Sequence, residues 1–210
     1  MEGIMSFKRN SLSLEKMQVL LLTDLDENVM MDLLSGPSVY TEHVTKKAID
    51  DAKEIQDTDD LTEDEKDLQL EFLADDMNYA KEAQELAEEL AIIGLFKTLE
   101  IRIAKATKAS KLMSNNKVKE LYVTDKFIEH FNSIGIDLNS VAYFNEYKEL
   151  KLLNNCLKHS GEVNQSLEDA NPTTWTKGEK ITDFATHFRR LLQPNIMFLN
   201  NLGADIRSKL

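Results

Sequence analysis

The feature that most constrains this chain is the stretch from Thr62 to Met113. It contains no proline and one glycine, Gly94. It opens with Thr62-Glu63-Asp64-Glu65, which fits a capping box, a hydroxyl and a carboxylate reciprocally satisfying free backbone amides. Leu73, Met77, Ala80, Leu86, Leu90, Ile93, Phe96 and Leu99 then keep broadly to one stripe. A single helix over that range would be ~75 Å long at ~1.5 Å per residue, so a bend near Gly94 or a protruding end is expected. Seven glycines and three prolines in 210 residues also disfavour a turn-rich β fold. The expected class is all-α: a helical bundle with long antiparallel helices.

Other segments read the same way. Residues 1–10 look frayed. Leu14 to Leu34 carries apolar residues at three- and four-residue steps, with Ser13 as a cap and Gly36-Pro37 as the stop. Val39 to Gln56 is weakly periodic, and Asp57 to Asp60 forms an acidic joint. Beyond the Ser114-Asn115-Asn116 loop, helices are expected over Lys117–Ser133, closed by Gly135, and over Val141–His159, with a capped turn at Asp137–Ser140 between them. Residues 161–178 read as a long loop, and a last helix starts near Ile181 and kinks or restarts at Pro194. The domain reading is an N-terminal helical arm and acidic joint over 1–60 and a helical bundle over 61–210.

The formal charge is −12. Residues 41–100 hold 19 acidic and 6 basic side chains, leaving 18 acids and 19 bases elsewhere. The acidity therefore belongs to one segment, and no basic stripe of the kind that gives strong general nucleic-acid binding is present. Cys156 is the only cysteine, which excludes an internal disulfide. The N-terminus has no apolar core of signal-peptide length, and the runs Val19–Leu22 and Ala91–Phe96 fall far short of a membrane span. A cytoplasmic protein with no membrane contact is expected.

Most motifs reduce to ordinary structure. Asp57 to Asp67 fails as a calcium loop, with Thr62 where glycine is needed and Leu68 where a bidentate carboxylate is needed. No glycine spacing suits a phosphate loop, no histidine pair has ligand spacing, and no metal or cofactor is expected. His43, His130 and His187 read as surface or boundary residues. Trp175 reads as a plug for the long loop, with base stacking as its functional alternative.

The end of the helix at His159 is different. Asn155 and His159 are four residues apart and share a face, as do Lys151 and Asn155, while Asn154 is about 140° from His159. With Lys158 these supply amide donors, cations and a group titrating near neutrality, a set suited to a phosphodiester and to proton transfer. The same residues also suit a plain helix terminus, where lysine and histidine complement the dipole.

The run Leu150 to His159 resembles the motif of HEPN domains, the helical nucleases and nucleotide-binding modules of prokaryotic toxin–antitoxin, abortive-infection and CRISPR systems. Asn155 takes the polar position of that motif and His159 the histidine. Trp175 to Ile181 and Phe96 to Glu100 resemble further family segments, and the likeness covers roughly residues 65 to 205. It implies a HEPN-like bundle, a homodimer, and RNA or nucleotide engagement by a metal-independent ribonuclease with His159 in proton transfer. Asn154 stands where the family has its arginine and lacks the bidentate, charge-assisted grip of guanidinium. The resemblance therefore implies weak or absent cleavage, with Asn154 beside His159 at the catalytic position. Asn155, Lys158, Lys151, Arg189 and Arg190 remain as candidates for phosphate. The rival reading is a non-catalytic adaptor whose acidic residues 57–89 meet a basic partner protein.

Overall fold

The computed structural model describes residues 13–210; the first ten residues, expected to be frayed, lie outside the described residues. The described chain is helical, and among the described residues the only β pairing is an isolated bridge between Glu162 and Lys180. The all-α class is what the sequence predicts. The described chain divides into two compact units that interleave along it: residues 13–25, 99–144 and 196–210 form one, residues 26–98 and 145–195 the other. The boundary expected at residue 60 falls inside the second unit.

In the first unit, α1 (Leu14–Thr23) is capped by Ser13, whose hydroxyl accepts from the Lys16 amide. The expected continuation to Leu34 does not occur. Asp24 and Leu25 leave helical geometry, and Asp26 starts a new helix by accepting from the Asn28 amide at 2.9 Å. The carbonyls freed at the end of α1 are taken by Arg102, whose Nη1 donates to the Leu22 and Asp24 oxygens at 3.2 and 2.8 Å. Gly203 lies so close to Thr23 that a Cβ there would meet the threonine Cβ at 2.6 Å. The single helix expected over 117–133 is two, α4 (Asn115–Lys119) and α5 (Thr124–Asn132), the first capped by Ser114. His130, expected at the surface, is buried with Nε2 2.8 Å from the Glu120 carboxylate. Phe127 packs edge-on against Phe131, and Phe144 lies tilted against Phe198 with ring centroids 5.7 Å apart.

In the second unit, α2 (Glu27–Asp57) passes through Gly36-Pro37, the expected stop. Proline inside a helix costs about 3 kcal/mol. Here buried Met30, Leu34 and Ala48 anchor the helix on both sides of it. The turn at residues 58–62 leads into α3 (Glu63–Ser110), 48 residues without interruption. The expected capping box is made: the Thr62 amide donates to Glu65 at 2.9 Å and the Glu65 amide to the Thr62 hydroxyl at 3.3 Å. Lys66 reaches the Gln56 carbonyl and Thr41 the Ala80 carbonyl, so α2 runs antiparallel to the first half of α3. The rest of the unit comes from α6 (Phe144–His159), α7 (Gln165–Ala170) and α8 (Phe184–Ser208) as far as residue 195; the last part of α3, from residue 99, and of α8, from residue 196, belongs to the first unit. Pro194 lies inside α8, which neither stops nor restarts there. Leu150, Leu153, Phe188, Leu191 and Leu192 are fully or almost fully buried.

Candidate functional site

The apolar stripe of α6 fixes which polar residues of the candidate cluster meet solvent. Leu150, Leu153 and Leu157 face the core, and that phase turns Asn154 inward with them. Asn154 is 1 % exposed; its amide donates to the Asn155 oxygen at 3.3 Å, and its own oxygen has no partner. Asn155, Lys158 and His159 are exposed on the opposite side, and neither Lys158 nor His159 makes a hydrogen bond or ion pair among the described residues. Lys151 is half-buried and already engaged within the fold. Arg189 is exposed on α8. The structure therefore leaves Asn155, Lys158 and His159 exposed over roughly 100° of the helix end and takes Asn154 out of reach of a ligand.

The helix ends as its glycine suggests. Gly161 sits at φ 67°, and the amides of Ser160 and Gly161 both donate to the Cys156 carbonyl. The segment expected to be a loop is closed into an ordered excursion. Val163 donates to the Glu179 carbonyl, Gly178 to Val163 and Ile181 to Gly161, each at 2.9 Å, and α7, capped by Asn164, lies within it. These bonds hold the chain beyond His159 in one path.

Inside that excursion is a polar centre that sequence reasoning missed. Glu149, 4 % exposed, accepts from Arg190 Nη2 at 2.6 Å and Nη1 at 3.2 Å, from Trp175 Nε1 at 2.7 Å and from Asn171 Nδ2 at 3.2 Å. Burial pushes the Glu149 carboxyl up, but the Arg190 and Trp175 hydrogen bonds outweigh it and hold the group below the usual glutamate value. Trp175 is buried as the expected plug, its ring 4.3 Å from that of His187, with the Arg190 guanidinium 5.9 Å from the indole. Burial, then the nearby Arg190 charge, lower the His187 pKa, so its imidazole favours the neutral form. Arg190 is thus committed to Glu149 and is not delivered to phosphate at the end of α6. The one signal in the sequence was Glu149 itself, a carboxylate in line with Leu153 and Cys156 at helical spacing.

Chemically the two sites differ. The Glu149 carboxylate is buried and engaged by Arg190, Trp175 and Asn171, although Arg190 Nε and His187 Nδ1 beside it find no partner; it locks the loop to α6 and α8. The end of α6 is open and offers an amide, an ammonium and an imidazole to an anion. Among the described residues no three or more His, Cys, Asp or Glu side chains stand together in a way that holds a metal ion. No described helix is long and apolar enough to cross a membrane. Comparison of the chain with protein families, with curated proteins and with solved structures finds no match.

Proposed function

We propose that this is a HEPN-like helical protein that engages RNA at the exposed end of α6, as a binder and not as a nuclease. The observation that carries the reading is the exposure of Asn155, Lys158 and His159 at the helix end, with Asn154 buried beneath them. An ammonium and an imidazole at a helix end give a phosphate one permanent charge and one hydrogen-bond donor. The position that carries the motif arginine in HEPN nucleases here points into the core, and Arg190 is held by Glu149. Without a guanidinium at the motif position, the site has only the Lys158 ammonium, a point charge without bidentate geometry, to meet transition-state charge. The resemblance supplies the setting, a homodimer in prokaryotic defence or toxin–antitoxin control.

The test is fluorescence anisotropy with a labelled single-stranded RNA across a salt series. Affinity should fall as salt rises, and Lys158→Ala should lower the slope of log K against log salt by about 0.7, the contribution of one phosphate contact on a single strand. The RNA should stay intact over the incubation. Binding unchanged by both Lys158→Ala and His159→Ala would remove the proposal, and cleavage abolished by His159→Ala would replace binding with catalysis.

A further inference from the structure

The first half of α3 presents two opposite faces. One packs on α2 through Leu73, Met77, Ala80 and Gln84, which recur at three- and four-residue steps and are buried or half-buried. On the other stand Leu68, Phe72, Tyr79, Leu86 and Leu90, all between 51 % and 66 % exposed. Their spacings of four, seven, seven and four residues keep them within roughly 40° of arc along ~33 Å of helix. This is a continuous apolar row in water, not scattered single residues, and such rows mark interaction surfaces. Spacing of this kind is what a second helix uses as anchor points.

A second row lies immediately beside it. Asp64, Glu71, Asp75, Glu82 and Glu89 fall on one flank of the apolar row, within roughly 20–60° of its leading edge. Four of the five are exposed, and Glu89 is half-buried. The only lysines of α3 in this span are Lys66, which reaches back to the Gln56 carbonyl, and Lys81, on a different face. The groove beside Tyr79 is lined by Lys47 and His43 together with Asp51 and Asp76, so that side mixes both signs of charge, whereas the Asp64–Glu89 flank carries carboxylates alone.

We propose that this face of α3 docks a basic amphipathic helix of a partner protein. The partner's apolar residues at i, i+4 and i+11 would lie along the Leu68–Leu90 row, and its lysines or arginines would meet the Asp64–Glu89 row. Charge selects this occupant over a second copy of the chain. In an antiparallel two-fold pairing of α3 with itself, each flank faces its own counterpart, so five carboxylates would face five. A parallel pairing brings the same row against a flank holding Glu65 and Asp76 and no lysine or arginine. Like charges at that spacing oppose association, whereas a basic helix removes the repulsion and covers the apolar row. The proposal does not depend on RNA engagement at α6, which uses other residues.

The probe is a labelled synthetic helical peptide with leucines at that spacing, flanked on one side by lysines, paired with a twin carrying glutamates in their place. Anisotropy on the full chain should show the lysine peptide binding, more weakly as salt rises, and the glutamate twin binding at least ~10-fold worse. Phe72→Ser/Leu86→Ser, on an exposed face where the fold tolerates it, should weaken the lysine peptide ~10-fold or more with circular dichroism unchanged. Glu71→Lys/Glu82→Lys should reverse the preference between the two peptides. Equal binding of both peptides, no binding of the lysine peptide, or a dimer in sedimentation that Phe72→Ser/Leu86→Ser dissolves would each overturn the proposal, the last by identifying a second copy as the occupant.

Discussion

Replacing Glu149 with alanine removes the acceptor of four hydrogen bonds at once, and the stability loss can be worked from the geometry. Trp175 Nε1 is buried and loses its only acceptor, a loss of about 1–3 kcal/mol. Arg190 loses a bidentate partner. Breaking a buried pair costs about 3–5 kcal/mol, but the Arg190 side chain is 34 % exposed and regains water, so the lower part of that range applies or less. Relief of the buried carboxylate offsets some of the sum. The expected net loss is about 3 kcal/mol, or ~6–12 °C in Tm for a chain of this size. Trp175 is the only tryptophan, so its emission follows this centre directly. Urea titration should give a lower midpoint with an unchanged slope, and native emission shifted to the red as the loop loosens. Glu149→Leu/Arg190→Met should recover part of the loss, because no uncompensated charge remains. A loss under about 1 kcal/mol, or a coupling between the two positions below about 0.5 kcal/mol, would refute the view that this pair holds the loop.

Two further outcomes follow from the same physics. Because the Glu149 and His187 pKa values are both lowered in the folded state, each contributes stability fully above its ordinary value and loses it as pH falls through the folded one. Stability should therefore decline on acidification first below about pH 6.5, from His187, and again below the ordinary glutamate value; His187→Gln should remove the first decline in a pH series of urea midpoints. Gly203→Ala should cost about 1–3 kcal/mol by driving a methyl into Thr23, and Thr23→Ala should return only part of it, because the Cβ that a methyl would meet at 2.6 Å stays in place, measured by thermal denaturation.

How far the sequence revealed this depends on whether the deciding partner was local. Helix existence, the Ser13 and Thr62 caps and the Gly161 terminus were readable because each depends on residues within four positions. Helix ends at residues 23 and 37 were misjudged for the opposite reason. The stop after Thr23 is supported by Arg102, far away in the chain, and the passage through Pro37 is supported by burial on both sides. At the candidate site, the ideal-helix angle already separated Asn154 from His159; the core stripe then decided which of them meets water. Glu149, Trp175 and Arg190 are 15 to 41 positions apart, and no local pattern pairs them.

The interleaving of the two units bears on synthesis. One unit draws on residues 196–210 and the other on residues up to 195, so on the ribosome neither has all its parts until residue 195 or beyond has been made. Helix α2 meets the first half of α3 as soon as that follows, but α1 must persist without Arg102 and then without Gly203 while the residues up to 203 are added, at ~5–20 residues per second. The apolar side of α1 is then exposed for seconds, which makes the newborn chain a natural client for holdase chaperones. A contiguous fragment that carries the second unit whole also carries residues 99–144 of the first, and one that carries the first whole carries all of the second.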